Sequence, residues 1–231
     1  MQYAFPPQAP ATVPVAGSDA LFPVHRIYCV GRNYVEHAKE MGGTGREAPF
    51  FFMKPADAVL PVAQGTTGDM PYPPMTNDLH HEIELVVAIG KGGVNIAAAD
   101  AFRHVWGYAV GLDMTRRDLQ GEAKKLGRPW STGKGFDFSA PIGPLHPVAQ
   151  TGEIVQGAIR LDVNGTPRQQ SDVQKLIWNV AETIEHLSKY YALQPGDLIF
   201  TGTPEGVAAV KKGDLLEGSI AGLGELRLRI V

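Results

Sequence analysis

The stretch His81-Glu82-Ile83-Glu84-Leu85-Val86-Val87-Ala88-Ile89-Gly90 decides how this chain is read. Its apolar run is that of a buried strand, yet it carries two carboxylates. Side chains two apart on a strand share a face and lie roughly 6.5–7 Å from each other. Glu82 and Glu84 therefore lead a face that continues as Val86 and Ala88, while Ile83, Leu85 and Val87 fill the other. Carboxylates are seldom fully buried unless paired or bound to a metal. A cation shared by the two is the simplest remedy for their repulsion. Taken alone, the pair also fits the exposed face of an edge strand.

A third acid, Asp113, ends a second apolar stretch, Trp106-Gly107-Tyr108-Ala109-Val110-Gly111-Leu112-Asp113. Three carboxylates with no supporting thiolates describe a hard-cation site of the Mg²⁺ or Mn²⁺ type, with positions left for water and substrate. Cys29 is the single cysteine, which excludes an internal disulfide framework and a Cys-rich zinc site.

Working outward, 231 residues suffice for one large domain, and 21 Lys+Arg balance 24 Asp+Glu, so no nucleic-acid footprint is present. The Arg116–Arg128 stretch holds the one concentration of basic residues, but Asp118 and Glu122 interrupt it, as on a solvated helix face. No apolar run approaches the roughly 20 residues that span a bilayer, and the start of the chain lacks the pattern of a secretory signal. A protein of the cytoplasm is expected. Residues 1–23, rich in Pro and Ala, read as an extended arm rather than a packed unit, and residues 24–231 as the ordered domain.

Within that domain, strands are expected at His25–Val30, Phe50–Met53, Ala58–Leu60, 198–201, 214–220 and 225–230. Asn33 with Glu36 opens a short helix over about 34–41, stopped by Gly42-Gly43. Short helices are expected near Ala97–His104 and from Thr115 to Gly127, and a long amphipathic one near 173–190. Asn164-Gly165 marks a type I′ hairpin. Many strands, few helices, 27 Gly and 18 Pro argue a sheet-dominated α+β domain. Neither a dinucleotide fingerprint nor a Walker loop is present.

Other groups carry weaker signals. His37 and Glu40 are neighbours on one helical face, where a carboxylate raises the basicity of an imidazole; such pairs are also common on surfaces. Lys134 sits between Gly133 and Gly135, which permit close approach of a ligand. Arg117, Gln120 and Lys124 share a helical face just after Asp113, and Thr201 and Thr203 share a strand face.

The order and local words are more specific than any one of these. Val30-Gly31-Arg32-Asn33-Tyr34, His37, Glu40, Phe52-Met53-Lys54-Pro55, His80-His81-Glu82-Ile83-Glu84, Asp113, Arg117-Asp118, Gln120, Lys134 and Thr201-Gly202-Thr203-Pro204 closely resemble the fumarylacetoacetate hydrolase family in its acylpyruvate hydrolase branch. The resemblance covers about residues 25–231. It implies a mixed β-roll assembled as a homodimer, with Glu82, Glu84 and Asp113 holding Mg²⁺ or Mn²⁺. It casts His37 and Glu40 as a water-activating dyad, Lys134 as a catalytic lysine, and Arg32, Arg117, Gln120 and Thr203 as substrate contacts. The implied reaction is metal-dependent hydrolysis of the C–C bond of a small 2,4-diketo acid, best matched by fumarylpyruvate. The alternatives it leaves are oxaloacetate decarboxylation or tautomerisation, and a hydroxyheptadienedioate-type isomerase or decarboxylase.

Overall fold

The computed structural model describes residues 2–36 and 46–231. Among the described residues eighteen strands are present. In order they are β1 (Thr12–Pro14), β2 (Leu21–Pro23), β3 (Ile27–Gly31), β4 (Phe50–Lys54), β5 (Val59–Pro61) and β6 (Thr67–Met70). Next come β7 (Leu79–His80), β8 (Ile83–Ile89), β9 (Val105–Leu112), β10 (Thr115–Arg116), β11 (Ala140–Ile142) and β12 (His146–Pro147). The last are β13 (Ala158–Val163), β14 (Thr166–Asp172), β15 (Leu198–Phe200), β16 (Ala209–Val210), β17 (Leu215–Ile220) and β18 (Gly224–Ile230).

The largest sheet runs β4–β3–β15–β8–β9–β11–β5, with β12 also paired to β9. A second sheet runs β14–β13–β17–β18–β6, and β10–β7–β16 form a small third one. Parallel pairings (β15 with β3, β11 with β5, β18 with β6) mix with antiparallel ones, so the architecture is the expected sheet-dominated roll with short helices.

Strand β8 is central and buried along its whole length, and its two faces enter two different cores. Ile83, Leu85, Val87 and Ile89 pack into the larger one, against inward residues of the second sheet such as Leu161, Leu216 and Leu228. Val86 and Ala88 pack into the smaller one with Ile27, Cys29, Ala109 and Phe200. The alternation read from the sequence therefore holds. The Asn164-Gly165 turn also holds: φ is 53° and 73° at its two central residues, the left-handed pair that type I′ requires.

Two expectations are corrected. Residues 12–23 are not an unpacked arm: β1 and β2 form a hairpin in register Val13↔Phe22, and both of those side chains are buried in the smaller core. Alternation around the prolines placed these two on one inward face, and Phe22 meets the Trp106 ring at 5.1 Å. The single long helix at 173–190 is instead a 3₁₀ turn, Val173–Lys175, and an α-helix, Val180–Tyr190. Asn179 starts the helix by a reciprocal capping box with Glu182, which outweighs the helical spacing of Leu176 and Ile177. Most of the helix expected over 34–41 lies outside the described residues. No helix among the described residues is long and apolar enough to cross a membrane.

Candidate active site

Antiparallel pairing of β8 with β9 builds the centre of the site. Ile83 pairs with Leu112 and Glu84 with Gly111, and the Asp113 amide donates to the Glu82 carbonyl at 2.8 Å. Asp113 is thereby set across from Glu82, two residues beyond the glycine that faces Glu84. Carboxylate oxygens of Glu82, Glu84 and Asp113 lie within 4.8 Å of one another, and all three residues are buried. Opposite Glu84, β9 carries Gly111, where a Cβ would come within 2.5 Å of Val86 and 2.7 Å of the Phe200 ring. Gly202 (φ +104°) donates its amide to Glu84 Oε2 at 2.7 Å while packed against Asn33.

Three cations from distant parts of the chain answer the three acids. Lys134, the last residue of the short helix Ser131–Lys134, bridges Glu82 Oε2 at 2.6 Å and Asp113 Oδ2 at 2.7 Å. Arg117, the first residue of the helix Arg117–Lys125, donates to Glu82 Oε1 and, at 2.6 Å, to Gln120 Oε1. Lys54, at the end of β4, is buried and reaches Asp113 Oδ1 at 2.8 Å. It also donates to the carbonyls of Met114, at 3.2 Å, and Lys134.

The electrostatics follow from this crowding. Burial pushes the Glu84 carboxyl well above its ordinary value, reinforced by the charges of Asp113 and Glu82. Burial works against the Lys134 ammonium, but Asp113 and Glu82 outweigh it and hold its pKa above the usual lysine value. Each carboxylate oxygen has a second lone-pair direction beyond the bond it accepts here, so three all-oxygen donors remain able to share a hard divalent cation. The donor set fits Mg²⁺ or Mn²⁺ and contains no soft ligand.

Arg32, Gln120 and Thr203 complete one cleft with these residues, walled by Phe52 and Trp130. Arg32 occupies the left-handed region (φ 54°), a costly conformation for a non-glycine residue and one found disproportionately at functional sites. Lys124 is held below the ordinary lysine value by burial and by the charges of Arg32 and Arg117, which makes this side of the cleft cationic. Of the sequence-identified residues, the structure brings Glu82, Glu84, Asp113, Lys134, Arg32, Arg117, Gln120 and Thr203 together. His37 and Glu40 lie outside the described residues.

Sequence reasoning gave no role to three buried polar residues around the site. Lys54 is one; Asn33 and Gln169 are the others. The Asn33 amide donates to Thr201 O at 2.7 Å and Trp178 O at 2.9 Å and accepts from Trp178 N–H at 2.8 Å, anchoring the Thr201–Thr203 turn. Gln169 bonds His81, Ile83, Thr203 and Pro204. Lys54 and Asn33 had a signal, in the words Phe52-Met53-Lys54-Pro55 and Val30-Gly31-Arg32-Asn33-Tyr34, and Gln169 had none.

A sheet-dominated roll with a buried three-carboxylate centre and a lysine bridging two of the acids defines a class of enzyme with a candidate hard-cation site. This chain belongs to the fumarylacetoacetate hydrolase family, whose C-terminal domain description, "Fumarylacetoacetate (FAA) hydrolase C-terminal", matches residues 26–231. It is 58% identical to the fumarylpyruvate hydrolase from Pseudomonas aeruginosa crystallised in complex with Mn²⁺ and pyruvate. That match has a TM-score of 0.98 and covers 100% of this chain and 99% of the other. A fumarylpyruvate hydrolase of Ralstonia sp is 49% identical over 80% of this chain and 93% of its own length. The mitochondrial oxaloacetate tautomerase of Rattus norvegicus is 41% identical over 88% and 90%.

Proposed function

We propose that this protein is a metal-dependent carbon–carbon bond hydrolase of acylpyruvates, with fumarylpyruvate as its substrate and fumarate and pyruvate as products. The observation that carries the reading is the buried convergence of Glu82, Glu84 and Asp113 with Lys134 bridging two of them. Similarity to an enzyme crystallised with Mn²⁺ and pyruvate supports it.

In this reading the three carboxylates hold one Mn²⁺ or Mg²⁺. When bound, that cation supplies Lewis-acid stabilisation of negative charge on the 2-oxo acid end of the substrate. Arg117 is set by Glu82 and is itself bonded to Gln120, so both present fixed polar groups to the cleft. Together with Arg32 and Thr203 they orient the two carboxylates of the substrate. His37, with its basicity raised by Glu40, removes a proton from a water that attacks the 4-carbonyl. Cleavage of the C3–C4 bond sends its electron pair into the enolate of pyruvate, and the hydroxyl delivered by water leaves on the acyl fragment as fumarate. The Lys134 ammonium stands beside the developing enolate charge in a site where water is excluded, the condition under which a fixed cation counts most. Protonation of C3 completes pyruvate.

We place the enzyme in the cytoplasm, as a homodimer, in the breakdown of aromatic rings of the gentisate type. Residues 24–231 form the catalytic unit, since the described cleft lining comes from them, with β1 and β2 packed against its smaller core. A second reading, oxaloacetate decarboxylation or tautomerisation, uses the same carboxylates and Lys134 without an attacking water, and similarity to oxaloacetate tautomerases favours it as a side activity. The test is loss of 2,4-diketo acid absorbance with Mn²⁺ across fumarylpyruvate, acetylpyruvate and oxaloacetate, repeated after chelation. Fumarylpyruvate is expected to turn over fastest and to stop on chelation. Turnover of oxaloacetate alone would replace the main reading by the second.

A further inference from the structure

Gln169 is the one fully buried residue of β14, a strand that is otherwise polar and largely exposed. Its side chain reaches from the second sheet to the site, and every hydrogen-bonding position of its amide is used. Oε1 accepts from the Ile83 backbone N–H at 3.1 Å, and Nε2 donates to the Pro204 carbonyl at 2.8 Å. A backbone N–H can only donate and a carbonyl can only accept, so these two bonds fix which end of the amide is oxygen.

The other two bonds then have a defined direction. His81 Nδ1, 2.9 Å from Oε1, must be the protonated ring nitrogen. Thr203 Oγ1, 2.8 Å from Nε2, must accept. A hydroxyl has one proton, and this contact does not use it. Among the described residues no acceptor is recorded for the Thr203 hydroxyl proton, and Thr203 lines the cleft. We propose that Gln169 is a positioning residue, which holds Thr203 as a hydrogen-bond donor aimed at an anionic oxygen of the bound 2-oxo acid. The inference rests on the functional reading above for the identity of that ligand.

A hydroxyl free to turn would divide its time between donating and accepting. One oriented in advance by a buried amide is committed to donating, and its bond to a carboxylate or enolate oxygen is charge-assisted. Gln169→Glu reverses the arrangement with little change of shape. At pH 8 an ionised carboxylate only accepts, so the Thr203 proton turns toward residue 169 and away from the ligand.

The experiment is calorimetric titration of Mn²⁺-saturated protein with pyruvate at pH 8, beside Mn²⁺ affinity and fumarylpyruvate turnover. Gln169→Glu is expected to weaken pyruvate binding about 10-fold or more, as is Thr203→Val, with Mn²⁺ affinity kept. The double variant is expected to bind no worse than the weaker single one, because both act through the same hydroxyl. Multiplying effects in the double variant, unchanged pyruvate binding in Gln169→Glu, or a matching loss of Mn²⁺ affinity each overturn the proposal. If Gln169→Glu does not fold, Thr203→Val against Thr203→Ser decides: the serine, which keeps the hydroxyl, must lose clearly less. Equal losses overturn the inference. Wild-type protein that binds pyruvate but hydrolyses no acylpyruvate ends the functional reading while leaving the Thr203 result standing. Wild-type protein that fails to bind pyruvate ends both.

Discussion

Charged residues two positions apart occur on β13 and at the head of β8, which Glu82 immediately precedes, and the outcomes are opposite. On β13, Arg160 and Asp162 stand on the outer face and neutralise each other, Nε to Oδ1 at 2.7 Å, while Ile159, Leu161 and Val163 face inward. On β8 the two residues are like-charged and buried, and nothing on the strand can answer them. Relief comes from Arg117 and Lys134, which bond Glu82, and from the Gly202 amide, which bonds Glu84, none of them tied to β8 by local sequence. A self-sufficient pair of this spacing decorates a surface; a pair that must draw its counter-charges from across the chain marks a site. The cost of burying unpaired charge explains why the second kind is rare.

That contrast can be broken in graded steps. The largest effect is expected at Glu84. Glu84→Gln removes one carboxylate from the three and should lower metal-dependent turnover by about 10³-fold or more, with weakened Mn²⁺ binding by calorimetry. Retained turnover and retained affinity would mean the acids are a charge cluster and not a metal site.

Next comes His37→Ala. Acylpyruvate hydrolysis should fall by about 10²–10⁴-fold, the usual worth of a positioned general base. Oxaloacetate decarboxylation, which uses no attacking water, should fall far less with Mn²⁺ still bound. Equal losses in the two assays would remove His37 from its role as the base.

Lys54→Met tests the balance of charge itself. Lys54 and Asp113 are both buried, so removal of the lysine leaves a buried carboxylate short of its partner. Metal-free protein should lose about 3–5 kcal/mol of stability, read by chemical denaturation, and added Mn²⁺ should restore part of it. A variant as stable as the parent without metal would show that Lys54 carries none of the neutralisation. The smallest effect belongs to the comparison strand. Arg160→Ala should leave the thermal midpoint and turnover within error, because exposed ion pairs contribute little.

The same comparison shows what was legible in the sequence. Strands β8 and β9 and the two faces of β8 follow from alternation and apolar runs, which are local, whereas the pairing of the two strands was not read from the sequence. Glu82, Glu84 and Asp113 announced themselves because carboxylates inside such runs need a cause. Lys54 did not, since a lysine at a strand end gives no sign of which way its long side chain turns. Gln169 was silent for a different reason: Thr166–Asp172 is polar throughout, and only tertiary packing shows that one glutamine of the seven residues points inward. The hairpin at β1 and β2 was hidden by its prolines, which mask an inward Val13 and Phe22. Periodicity misled at 173–179, where apolar spacing continued past a start signal, Asn179 with Glu182, that was present in the sequence.

The central claim is that these three buried carboxylates hold one cation, and anomalous diffraction at the manganese edge from crystals grown with Mn²⁺ tests it most directly. The account predicts one strong peak within direct coordination distance of Glu82, Glu84 and Asp113 together, with the remaining positions facing the cleft. A Mn²⁺ peak elsewhere in the molecule, with the three acids still satisfied only by Lys54, Arg117, Lys134 and the Gly202 amide, would contradict it.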